Sequence, residues 1–346
     1  MRIVAFSASV LLALVFVTVP AARSQELPTV RLGMLQSTTD APIYIAQQKG
    51  FFRQEGINVE IIPFDAGAAM IAPLGTGQLD IAAGSPSAGL YNAAARGIPI
   101  RIVADLGSDP PGYGFQQLAV RTDLVKSGRF KTLKDLKGLT FGANTPQSAA
   151  TATLEVLLRK AGLTLDDVKR VYLSYPDQVV AMKNGSIDAA IPTEPSAEQM
   201  FSSGSAVKIV GMDAIYPDQE ISVIMYGGRF IADHRDLGMK FMRGFLRGAR
   251  YYVGALKGGK LAGPNADDVI RILVQETKIK NPAIFRAITP SWTNPNGRLN
   301  VVSLREDLDF FRRQGFIQGN PRVEDVVDQS FALEAARQLG PYRAAR

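Results

Sequence analysis

Two carboxylates stand in this sequence where they could act together: Asp40, in Gln36-Ser37-Thr38-Thr39-Asp40-Ala41-Pro42, and Glu194, in Thr193-Glu194-Pro195-Ser196. A pair of carboxyl groups can supply the acid and base of a hydrolase, so an enzyme using Asp40 and Glu194 is one reading. Asp40 sits where a helix begins, and a carboxylate there ordinarily satisfies the first helical N–H groups. Glu194 precedes a proline, which holds it extended and has no N–H to cap. That leaves contact with a ligand, through its charge or as a hydrogen-bond acceptor, as a role for Glu194. Other nucleophile and metal chemistry has little material. The 346 residues include no cysteine and one histidine, His234, and no GxSxG motif accompanies it. Thiolate chemistry, disulfides and a His-rich metal site are thereby excluded.

The two carboxylates belong to turns of one kind. Gly84-Ser85-Pro86-Ser87 and Asn144-Thr145-Pro146-Gln147-Ser148 share their pattern: small hydroxyl residues and a proline between a predicted strand and a predicted helix. Proline is harmless in the first helical turn, where N–H groups have no partner within the helix. Singly, each turn reads as a helix cap. As a set they divide two and two between a pair of lobes, and a closed cleft would ring a polar ligand with hydroxyls and unpaired N–H groups. Tyr113, in the glycine-rich stretch 107–114, and Tyr175, just before Pro176, can stack on or hydrogen-bond a ligand. Tyr44 and Tyr91 fall in helical segments and read as core, whereas Trp292 reads equally as rim or pocket.

The elements that must position these turns follow an α/β rhythm. Strands are predicted at 30–35, 57–63, 79–83 and 100–106, with helices at 42–48, 67–74 and 87–96. After the break at 107–114 a second series follows, with strands at 117–120, 139–142, 171–173, 187–191 and 207–210 and helices at 148–160, 178–183 and 196–201. A β-rich run, 221–226, meets Gly227-Gly228, and the remainder is helical at 233–256, 266–277, 302–313 and 323–339. Such alternation predicts helices covering mostly parallel sheets. A middle domain inserted into an outer one gives two crossings, near 115–120 and 222–228, which is a hinge geometry. The expected division is residues 25–116 and 228–346 for the first lobe and 117–227 for the second.

Composition agrees with a globular chain of two domains, 46% hydrophobic and 21% charged. Residues 1–24 read as a cleavable secretory signal: Arg2, an apolar stretch from Ile3 to Val19, then Pro20-Ala21-Ala22-Arg23-Ser24. The rival reading, a membrane anchor, has only a marginal span. With no cysteine for a lipid, a periplasmic protein without an anchor is expected. The formal net charge is +7, and the positive balance lies after residue 228, with 20 Lys and Arg against 12 Asp and Glu. Part of it is a helical stripe, Lys240, Arg243, Arg247 and Arg250, read as a solvated face, with a docking surface for an acidic partner as the alternative. No nucleic-acid motif is present.

Several segments together resemble the periplasmic substrate-binding proteins of ABC transporters, of the nitrate/sulfonate/taurine and thiamine-pyrimidine type. They are Arg31–Gln36 with Ala41-Pro42-Ile43-Tyr44-Ile45-Ala46, Lys49-Gly50-Phe51-Phe52 with Glu55-Gly56-Ile57-Asn58-Val59-Glu60, and Gly77-Gln78-Leu79-Asp80-Ile81-Ala82. Leu133-Lys134-Asp135-Leu136-Lys137-Gly138 and Asn184-Gly185-Ser186-Ile187-Asp188-Ala189-Ala190 continue the series up to Glu194-Pro195. The resemblance implies a type II-like, two-lobed binding protein with C-terminal helices, a monomer that closes on a small organic molecule and delivers it to a membrane permease without a cofactor. It places ligand contacts on Ser37, Thr38, Asp40, Ser85, Ser87, Asn144, Thr145, Ser148 and Glu194. None of the four turns carries an arginine to clamp a sulfonate or nitrate. The pyrimidine-synthesising enzymes of the same superfamily depend on His, Cys and Lys, and this chain lacks that set.

Overall fold

The computed structural model describes residues 26–343; the expected signal, 1–24, lies outside the described residues. The first lobe opens with β1 (Thr29–Met34), α1 (Ala41–Gln48), α2 (Phe51–Gln54), β2 (Asn58–Pro63), α3 (Ile71–Thr76), β3 (Ile81–Gly84), α4 (Ala88–Ala95) and β4 (Ile100–Ser108). The second lobe comprises β5 (Gln117–Arg121), α5 (Thr122–Lys126), β6 (Thr140–Ala143), α6 (Ala149–Lys160), β7 (Lys169–Tyr172), α7 (Tyr175–Asn184), β8 (Ala189–Ala190), α8 (Ser196–Ser202) and β9 (Ala206–Gly211). The chain then returns through β10 (Glu220–Gly227) to α9 (Gly228–Asp233), α10 (Arg235–Val253), α11 (Ala266–Glu276), α12 (Pro282–Ala287), α13 (Val301–Arg313) and α14 (Ser330–Leu339).

Each lobe is built on one five-stranded sheet, in the orders β2-β1-β3-β10-β4 and β7-β6-β8-β5-β9. The fold is thus α/β and two-lobed. In each sheet one strand runs against the rest: β10 is antiparallel to β3 and β4, and β5 is antiparallel to β8 and β9. Both are the first strand after a crossing. A strand arriving from the other lobe enters at the cleft edge, where β1, β3, β6 and β8 end, so it must run the opposite way. The turns after those four strands therefore face the cleft.

This topology corrects the expected division at residue 227. That division places 220–227 in the second lobe, but the run is β10, at the heart of the first lobe's sheet with all its residues buried. The crossings are 109–116 and 212–219. Two buried faces make β10 apolar enough to sit in either sheet, and only its pairing to β3 and β4 decides the question. The predicted helix at 323–339 is also broken. Val327 bridges Ile102 and the Ile102 N–H donates to Val326 at 2.6 Å, extending the sheet edge before α14 begins. The short helices α2, α5, α9 and α12 were not anticipated, being too brief for a periodic signal.

Three of the four basic residues of the α10 stripe, Arg243, Arg247 and Arg250, are engaged within the chain. Arg243 Nε pairs with Glu55 at 2.7 Å, the Arg247 guanidinium lies 4.2 Å from the Phe51 ring centre, and Arg250 donates to the Pro295 and Gly340 carbonyls. The opposite face buries Phe241, Met242, Phe245 and Leu246, each worth about 1.5–3 kcal/mol of transfer. Here α10 lies against α1, and a Cβ at Gly248 would stand 2.1 Å from the Pro42 carbonyl oxygen. The helix following the first cleft turn is set in place by this contact.

On the cleft's other flank, α13 belongs to both lobes. Leu304, Leu308, Phe310 and Phe311 join one apolar cluster with Tyr91 and Leu90 of the first lobe and Leu154, Leu157 and Leu158 of the second. Among the described residues, no helix is long and apolar enough to cross a membrane.

Candidate functional site

The four turns meet in two pairs. The Thr38 hydroxyl donates to the Glu194 carbonyl at 3.1 Å, joining the turn after β1 to the turn after β8. Ser87 and Ser148 form an antiparallel bridge, and the Ala88 N–H donates to the Gln147 carbonyl at 3.2 Å, joining the turn after β3 to the turn after β6. Thr38, Asp40, Ser87, Ser148 and Glu194 are all buried. The Ser87 hydroxyl, on a residue 2% exposed, has no hydrogen-bond partner among the described residues.

The first turn is a closed local unit. Asp40 accepts the Ser37 N–H at 2.7 Å and the Ser37 hydroxyl at 3.3 Å, while the hydroxyls of Ser37 and Thr39 lie 2.5 Å apart. Its carboxyl thus fixes the turn's shape, the structural role a residue at a helix start ordinarily has. Burial pushes Asp40 up to about 7. In the turn after β6, the Thr145 carbonyl accepts from both Ser148 (3.1 Å) and Thr151 (2.5 Å). Ser148 and Ser87 occupy the N-cap positions of α6 and α4.

Glu194 departs from its sequence reading. Its neighbour Pro195 offers no N–H, but the Glu198 N–H in the first turn of α8 donates to Glu194 Oε2 at 3.0 Å. The other oxygen accepts the Thr289 N–H at 3.3 Å, from the first lobe's return segment. Glu194 therefore caps a helix and ties the lobes together, and burial pushes its carboxyl up to about 7. The capping reach of four residues, past the proline, is what the local pattern concealed.

The other candidates spread out. Ser85 is half-buried beside the cleft and donates to the Pro86 carbonyl at 3.2 Å; Asn144 and Thr145 are half-buried in theirs. Tyr113 lies in the first crossing, where its carbonyl accepts the Phe115 N–H at 2.8 Å. Tyr175 is the first residue of α7, half-buried, and no hydrogen bond joins it to the four turns among the described residues. Tyr44 and Tyr91 are core, and Trp292 pairs with Ser108 along the end of β4. Thr289 was missed because its part is played by a backbone N–H, which has no signature in residue type.

Turns from two α/β lobes, one inserted into the other, converging on one cleft define the two-lobed binding-protein fold. The periplasmic nitrate-binding protein NrtA of Synechocystis PCC 6803 matches it with a TM-score of 0.74, covering 91% of this chain and 89% of that one at 14% identity. The chain belongs to the family described as NMT1/THI5 like, whose model matches residues 37–255. It is similar to a Bacillus subtilis protein named for binding aliphatic sulfonates, 24% identical over 322 residues, which are 91% of this chain and 90% of that one. A Haemophilus influenzae protein named for thiamine biosynthesis is 31% identical over 151 residues, 44% of this chain. That match spans less than half the Haemophilus protein's length, 45%.

Proposed function

We propose that this chain is an extracytoplasmic solute-binding protein that captures a small organic molecule between its lobes and delivers it to an ABC transporter permease. The observation that carries the reading is the meeting of four helix-starting turns across the cleft, through Thr38 with Glu194 and Ser87 with Ser148. Hydroxyls and first-turn N–H groups gathered in this way suit a polar ligand held by hydrogen bonds. Ser37, Thr38, Ser87 and Ser148 are its proposed contacts, with Tyr113 at the rim, while Asp40 and Glu194 shape the turns. The names of the relatives, for nitrate and for aliphatic sulfonates, support solute capture as the activity. The hydrolase reading loses support because both carboxylates are engaged by backbone N–H groups of their own turns and helices. Residues 1–24 as a cleaved signal, a periplasmic location without lipid, and a monomer complete the proposal.

Small-angle scattering on the mature protein tests it, using a panel of sulfonates, nitrate, pyrimidines, amines and aromatic acids. A bound solute is expected to favour the closed lobes and shrink the radius of gyration. A profile unchanged by every solute at saturating concentration would contradict closure.

A further inference from the structure

Four carboxyl groups are buried at the joint between the lobes, outside the cleft turns. Asp105 near the end of β4 and Asp109 in the first crossing are 0% exposed; Glu220 at the start of β10 and Asp307 on α13 are 1% exposed. Among the described residues no lysine or arginine ion-pairs or hydrogen-bonds with any of them. Their partners are neutral donors. Asp105 accepts the Asn294 N–H at 2.5 Å, Asp109 the Phe115 N–H at 3.3 Å, and Glu220 the Asn300 N–H. Asp307 accepts from the Tyr216 hydroxyl at 3.1 Å and the Gln219 amide at 3.3 Å. One oxygen each of Asp105, Asp109 and Glu220 is buried with no hydrogen-bond partner among the described residues. A buried charge so thinly compensated is costly, and a proton resolves it. Asp105 and Glu220 lie on the neighbouring strands β4 and β10, and the Asp105 charge adds to burial in pushing the Glu220 carboxyl up.

Backbone bonds pair the two crossings, and the Asp307 carboxyl braces the second of them through Tyr216 and Gln219. The Asp109 N–H donates to the Gln219 carbonyl at 3.3 Å, and the Asp218 N–H to the Asp109 carbonyl at 2.9 Å, pairing one crossing with the other. Gln219 binds Asp307 on one side; on the other, its amide donates to the Ala149 carbonyl at 3.2 Å and its oxygen accepts the Thr153 hydroxyl at 2.6 Å, both on α6 of the second lobe. The remaining charged neighbours share the same sign: Asp213 of the second crossing faces Asp109, and Glu306 adjoins Asp307. Arg312, farther along α13, is paired with Asp309 at 2.8 Å.

We propose that this carboxyl cluster makes the hinge a proton-operated joint, which holds the crossings in the closed arrangement while protonated and opens the cleft as rising pH removes the protons. Burial pushes all four groups upward, Asp307 to about 8. Groups raised in this way favour the packed joint below their titration and oppose it above. The inference rests on the reading of the chain as a closing binding protein.

The absence of cysteine allows a clean test. Dyes on Arg53→Cys and Lys183→Cys, both exposed and on different lobes, report lobe separation by energy transfer with no ligand added. Linkage allows up to about tenfold per pH unit for each proton released, so a fall of at least about tenfold in the closed-to-open ratio is expected between pH 5.5 and 8.5. Adding Asp105→Asn and Glu220→Gln should reduce this fall, leaving the part carried by Asp109 and Asp307. If that pair fails to fold by circular dichroism, Asp307→Asn alone should reduce the slope. A flat wild-type profile, or a variant that keeps the wild-type slope, would overturn the inference. A wild type that contracts with a solute yet ignores pH would overturn it too, while leaving the binding reading intact.

Discussion

Glu194→Ala is expected to lower stability by about 2 kcal/mol and to weaken solute retention in the same protein. Two half-buried N–H groups lose their acceptor: that of Glu198 at the start of α8 and that of Thr289 from the opposite lobe. An unsatisfied buried donor costs about 1–3 kcal/mol and loss of a cap about 0.5–2 kcal/mol, with water recovering part where the helix end is half-exposed. The Thr289 bond spans the cleft, so its loss also removes a tie that favours closure. Glu194→Gln keeps an acceptor oxygen and should cost less, which separates the acceptor role from the charge. The carboxyl stands at about 7 when folded, above its ordinary value, so the folded state holds this proton more tightly than the unfolded chain. Its contribution to stability is complete at acid pH and declines as pH rises to about 7. Urea unfolding of wild type and Glu194→Gln from pH 4.5 to 8.5 measures this, and the variant should lack that decline. Equal slopes in the two proteins would show that the carboxyl does not titrate in the fold.

Gly248→Val is expected to destabilise by about 3 kcal/mol and to disturb the cleft from behind. An added Cβ meets the Pro42 carbonyl oxygen at 2.1 Å and the Ala46 Cβ at 3.1 Å, and neither is a flexible chain end that can swing aside. Overpacking of this kind costs about 1–3 kcal/mol, sometimes more, against a helix-propensity gain of at most about 1 kcal/mol on leaving glycine. The strain must be relieved by moving α1, whose first residue directly follows Asp40, so the turn carrying Ser37 and Thr38 moves with it. Gly244→Ala is the comparison: its Cβ meets the Phe52 ring at 2.6 Å, and a side chain can rotate where a backbone carbonyl cannot. Thermal melts of both variants should place Gly248→Val well below Gly244→Ala. The opposite order would contradict the packing argument.

Local pattern carried much of the architecture because strands followed by hydroxyl-proline turns and helices are written in consecutive residues. The turn after β3 illustrates it: a fully buried Ile81–Gly84, then Ser85-Pro86-Ser87, then α4. The sheet that owns β10 is not local information, since its eight buried residues suit either lobe and the choice is made by partners more than a hundred residues earlier. The cap that Glu194 makes is hidden from local pattern for a similar reason. Its acceptors' donors lie four residues ahead and 95 residues ahead, and both are backbone groups. The buried carboxyls of the hinge, spread over β4, the first crossing, β10 and α13, share no motif at all; only folding makes Asp105 a neighbour of Glu220. The arginines of α10 looked like a solvated stripe because their partners, Glu55, Phe51, Pro295 and Gly340, lie far off in sequence.

Solute capture without conversion is the centre of this account, and thermal unfolding of the mature protein across the solute panel, with each solute recovered and analysed afterwards, tests it most directly. One chemical class should raise stability by about 2.7 kcal/mol at a hundred times its dissociation constant and come back chemically unchanged. Stabilisation by none of the classes, or recovery of the stabilising solute as a different compound, would contradict it.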